Sequence, residues 1–122
     1  KMNRYPYMFV PIFLDKITMS FNGNEGSAIT LAEAAELTAN YRATISPGEQ
    51  LGLFVGRNHL LAILNQSGCM GVRMYYGIAK DGEKQLVLVG VTSNENDMEK
   101  GILIDRAIPC PTKCSASNPL NS

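Results

Sequence analysis

The side chains here best equipped for chemistry are Cys69, Cys110 and Cys114, the single histidine His59, and the arginine Arg73. A cysteine nucleophile needs a base such as His59 within about 3 Å. A helix is expected over about residues 58–67, with His59 near its start and Cys69 just past its end, which places them roughly 15 Å apart. One chain cannot build that dyad. Cys110 and Cys114 leave three readings open: thiols packed in a Pro-stiffened segment, a local disulfide, or two ligands of a metal site for which Cys69 and His59 are the only other soft ligands, able to meet one ion only if subunits cooperate. Arg73, Tyr75 and Thr92 form the best candidate ligand site. The paired donors of a guanidinium suit a carboxylate or phosphate, and a tyrosine ring offers a flat surface. The plainer alternative has a helix over that face and a helix carboxylate on Arg73. Asn94, Glu95, Asn96, Asp97 and Glu99 carry oxygen ligands, but their spacing departs from that of a calcium loop. No catalytic constellation is recognised and no cofactor is expected.

These residues need elements to position them. Thr30 and Glu33 read as a capping box, so a helix is expected over about residues 31–43, with an apolar stripe of Leu31, Ala34, Ala35, Thr38 and Tyr41. Residues 51–55 are short and apolar, and the second helix follows with Asn58 as its cap. Gly68 suits the left-handed position after its last turn. A β-hairpin over about residues 69–92 is the strongest pattern: Met70, Val72, Met74, Tyr76 and Ile78 alternate with Cys69, Gly71, Arg73, Tyr75 and Gly77. Asp81-Gly82 reads as a two-residue turn, which sets Met74 opposite Val89 on the core face and Arg73 opposite Gly90 on the other. Residues 102–104 read as a third strand, and residues 109–114 as irregular.

The fold class expected is therefore α+β: a small antiparallel sheet centred on the hairpin, with both helices packed on one face. The domain spans residues 29–117. Residues 1–28 form an apolar arm and a polar break, and residues 118–122 a frayed tail. Met19 offers an alternative start, which would make residues 1–18 an appendage.

Eleven basic residues balance eleven acidic ones, so no overall field draws in nucleic acid or an anionic membrane. The apolar run at residues 5–14 is interrupted by Pro6 and Pro11 and is far short of the roughly 20 residues a membrane span needs. Three cysteines are too few and too odd for a disulfide scaffold, which favours a cytoplasmic protein. An apolar arm needs cover, so a homo-oligomer or an unknown protein partner is expected.

The run from Leu64 to Gly77, with Leu88-Val89-Gly90-Val91, Asn96-Asp97-Met98 and Pro109-Cys110-Pro111-Thr112-Lys113-Cys114-Ser115, resembles small uncharacterised proteins of Bacteroidetes-type bacteria. The resemblance covers about residues 29–117. It implies a bacterial origin and no mechanism, and it singles out Cys69, Arg73, Cys110 and Cys114. The preferred reading is a non-enzymatic bacterial binding or protein-interaction domain. The alternative is a metal- or thiol-dependent protein using Cys110, Cys114 and Cys69.

Overall fold

Thr30 and Glu33 close the expected capping box: the Glu33 N–H donates to Thr30 Oγ1 at 3.1 Å, and the Thr30 N–H donates to Glu33 Oε1 at 2.9 Å. This starts helix α1, Leu31–Arg42. The structure, a computed structural model, describes residues 20–122, and the arm at residues 5–14 lies outside the described residues. Contrary to expectation, α1 buries none of its residues. Its large apolar side chains Leu31 and Leu37 are about 120° apart around a helix axis, so they form no single face, and the stripe between them is mostly alanine. Its last turn is tied down by polar bonds instead. Arg42 Nη1 donates to the Leu120 carbonyl at 2.8 Å and the Tyr41 hydroxyl to the Gln50 carbonyl at 3.4 Å. The tail at residues 118–122 makes hydrogen bonds of its own, with the Leu120 N–H donating to Asn118 Oδ1 at 2.8 Å.

Strand β1, Gly52–Phe54, is followed at once by helix α2, Arg57–Leu64. The cap of α2 is Gly56 rather than Asn58, because the chain leaves β1 still extended and enters the helix with no side-chain cap. Gly68 takes the expected left-handed conformation, at φ 82°, and turns the chain into β2, Cys69–Ile78. β3, Lys84–Thr92, and β4, Leu103–Ile104, complete a three-stranded antiparallel sheet in the order β2-β3-β4. β5, Ile108–Cys110, pairs with β1 in a second small sheet. The segment expected to be irregular from residue 109 is thus partly strand, with the Leu51 N–H donating to the Cys110 carbonyl at 2.7 Å. The α+β class holds, with α2 alone packed on the hairpin sheet.

The hairpin register is shifted by one residue from the one expected. Met74 faces Leu88, Arg73 faces Val89 and Val72 faces Gly90. The turn is the cause. Its loop holds Lys80, Asp81 and Gly82 rather than Asp81-Gly82 alone. The Ala79 N–H donates to the Glu83 carbonyl and the Gly82 N–H to the Ala79 carbonyl, both at 2.9 Å, with Gly82 at φ 90°. That is the three-residue turn ending in a left-handed glycine. Asp81 Oδ1 supports it by accepting from the Glu83 N–H at 3.0 Å.

Opposed residues share a face, so Cys69, Val72, Met74 and Tyr76 lie on one side with Thr92, Gly90, Leu88 and Leu86, while Arg73 and Tyr75 lie on the other with Val89 and Val87. β3 is buried on both: Leu88 on the first, Val89 and Val91 on the second. Above Gly90 the first face is crowded. A Cβ there would sit 2.9 Å from Gln66 Nε2, 3.0 Å from Cys69 Sγ and 3.1 Å from Met98 Sδ. Gln66 cannot swing away freely, because Nε2 donates to the Ile63 carbonyl and Oε1 accepts from the Ile102 N–H, each at 2.9 Å. Gly90→Ala is therefore expected to cost about 1–3 kcal/mol, the usual scale for overpacking, measured as a fall in urea midpoint at unchanged slope.

Candidate functional site

The second face of the sheet gathers the charged cluster. After β3 the chain reverses and folds back along the strand it has just left. The Thr92 N–H donates to the Asn96 carbonyl at 3.0 Å and the Met98 N–H to the Gly90 carbonyl at 2.8 Å. Asp97 pairs with Val91 in an isolated antiparallel bridge. This places its carboxylate between two β2 side chains: Oδ1 lies 2.5 Å from Arg73 Nη1 and Oδ2 2.5 Å from the Tyr75 hydroxyl. Arg73 Nη1 also donates to the Glu95 carbonyl at 3.4 Å. The guanidinium carbon sits 5.8 Å from the centre of the Phe21 ring, within cation–π range. Phe21 is itself held by its N–H, which donates to the Ser93 carbonyl at 3.0 Å.

The charges stabilise each other's ionised or protonated forms. The Tyr75 hydroxyl bond, aided by Arg73, holds the Asp97 carboxyl below its ordinary value against the desolvation that would raise it. The bond to Asp97, with desolvation behind it, raises the Tyr75 phenol. The Asp97 bond likewise raises Arg73. The site is half-open, with the Arg73 and Asp97 side chains 34% and 26% exposed. A recess of 310 Å³ beside it is lined by Phe21, Glu25, Met70 and Arg73.

The sequence reading placed Arg73, Tyr75 and Thr92 on one face across from Gly90. The structure keeps Arg73 with Tyr75 and separates Thr92, which the shifted register puts opposite Cys69 on the other face. The space over Gly90 belongs to Gln66, Cys69 and Met98 rather than to Arg73. The carboxylate on Arg73 comes from the loop after β3, not from a helix. Asp97 is the residue missed as a partner. Its one sequence signal was membership of an acidic loop close behind a strand.

Of the thiols, Cys110 and Cys114 are joined in a disulfide with their Cα atoms 4.8 Å apart, and Cys69 is free and half-buried. The Cys69 thiol donates to the Gly71 carbonyl at 3.2 Å. Among the described residues no group of three or more His, Cys, Asp or Glu side chains is arranged to hold a metal, and no helix is long and apolar enough to cross a membrane.

No family model, curated protein or solved structure matches the chain. The arrangement of its own residues therefore carries the functional reading.

Two outcomes follow from this geometry. The folded value of Asp97 is lowered, so its contribution is whole above the unfolded carboxylate range and is lost as pH falls through the lowered value. That of Tyr75 is raised, so its contribution is whole below the unfolded phenol range and is lost as pH rises through the raised value. Asp97→Asn is expected to flatten both limbs of a plot of thermal midpoint against pH; an unaltered profile would mean that the clamp does not hold the loop. Alkylation of the unfolded chain with iodoacetamide should add one label without reductant, at Cys69, and three after reduction.

Proposed function

We propose that this chain is a non-enzymatic protein-interaction module that accepts an extended strand along the free edge of β2. One observation carries the reading: β2 is ten residues long, and among the described residues its single sheet neighbour is β3. Edge strands are usually blunted by lysine, proline or a covering element, since their unpaired N–H and C=O groups recruit other chains. β2 carries neither lysine nor proline, and its one charge, Arg73, is matched by Asp97. It also leaves alternate apolar side chains in water, Met74 at 54%, Tyr76 at 95% and Ile78 at 77% exposure. An added strand would take its affinity from backbone hydrogen bonds and its selectivity from side-chain pockets. A groove of 640 Å³ beside the far end of the hairpin, lined by Leu53, Tyr76, Ile78 and Leu86 among others, supplies such a pocket.

Arg73 and Tyr75 support this reading as scaffold. Their bonds to Asp97 fix the second face of β2, and the edge is left to bind. A metal centre on the three thiols would first need the Cys110–Cys114 bond reduced. That same bond favours an oxidising compartment over the cytoplasm expected from cysteine number.

The test is a fluorescein-labelled peptide with the sequence of residues 71–78, titrated with the whole chain and followed by anisotropy. Two further peptides are N-methylated on alternate residues, in opposite phase. Strand addition turns only one phase of N–H groups toward the protein, so one methylated peptide should lose binding and the other retain it. Equal behaviour of the two, or no binding by any of them, would sink the proposal.

A further inference from the structure

Resting on that reading, we propose that the strand β2 accepts is β2 of a second copy of this chain, antiparallel and centred on Met74. About that residue the edge carries glycine at matched distances, Gly71 and Gly77, with the apolar side chains of Val72 and Tyr76 just inside them. A two-fold axis through Met74 sets Val72 against the partner's Tyr76, Gly71 against the partner's Gly77, and Met74 against its own copy. Val72, Met74 and Tyr76 share the first face, where every pair is apolar, and the two glycines meet on the other.

On the other face the symmetric pair is a cation and an aromatic ring. Arg73 falls opposite the partner's Tyr75, whose hydroxyl already holds the carboxylate of Asp97. Each guanidinium thus meets an aromatic ring backed by a negative charge, and the two-fold repeats the contact. Neighbouring registers do worse. A centre at Arg73 would set two guanidinium groups face to face, where like charges oppose pairing. A centre at Tyr75 would leave Arg73 opposite glycine. The chain as a whole is neutral, so no net repulsion opposes the approach. The product is one continuous six-stranded sheet closed by a two-fold axis, which uses up the β2 edges left unpaired among the described residues.

Sedimentation velocity of the whole chain over a rising concentration series should show a dimer. Met74→Lys sets two ammonium groups opposite each other and is expected to weaken dimerisation by roughly ten-fold or more. Because Met74 is largely exposed, the variant should keep its fold, as circular dichroism would show. The register is read by crosslinking in a Cys69→Ser background. Met74→Cys brings two sulfur-bearing residues together, since directly opposed Cβ atoms lie about 5 Å apart, and should oxidise to a dimer of doubled mass. Ile78→Cys falls opposite the partner's Met70 and should not. A chain that stays monomeric at every concentration overturns the inference, as does Ile78→Cys crosslinking as readily as Met74→Cys. If the labelled peptide still binds with phase dependence in the monomeric case, strand acceptance stands and only the second copy is excluded.

Discussion

One amide side chain joins most of this fold. Gln66 leaves the end of α2, donates back to Ile63 and accepts from the backbone of Ile102 ahead of β4. It reaches Ile102 by crossing Gly90 and Gly101, and a Cβ at either glycine would run into it. Ile63, fully buried, sits a turn earlier on the same helix. Helix, central strand and third strand therefore meet where two residues have no side chain. Burial of Leu88 supplies apolar attraction across the same face, and Gln66 gives it direction. A half-buried polar group favours the fold only if its bonds are made, and both ends of this amide are satisfied.

The opposite face solves a different problem. Its partner for the hairpin is a loop, which brings one carboxylate to two donors on β2. The exchange is local: Asp97 uses the hydroxyl of Tyr75 and the guanidinium of Arg73, and both protein groups gain from it. What this face does not do is cover the outer edge of β2. Among the described residues the sheet is thus braced from both sides and unpaired along one margin, an unusual condition for a strand this long and this apolar.

Much of the local structure was legible. Thr30 and Glu33 announced α1, Gly68 announced the reversal into β2, and residues 102–104 announced β4. The register was not. Asp81-Gly82 fits a two-residue turn and the end of a three-residue turn equally well, and the two differ by one position. Pattern could not arbitrate, because Leu86-Val87-Leu88-Val89-Gly90-Val91 is apolar on both faces, as suits a strand buried on both. With the register moved, Thr92 changed sides and Gly90 lost its supposed link to Arg73. The partnership with Asp97 was out of reach for the same reason: it depends on which way Arg73 faces, and its partner is 24 residues on. The exposure of α1 was hidden too, since helical spacing was present but the residues at that spacing were mostly too small to pack.

That last feature has a consequence for motion. A helix with no buried residue is held, among the described residues, by its capping box, its own backbone ladder and two polar ties at its C-terminal end. It can melt without disturbing Ile63, Leu88 or the strand ladder. Two levels of local stability are then expected, a sheet held by its core and a helix that opens at lower free energy. Backbone amides of α1 should trade their hydrogens with solvent long before those of β3.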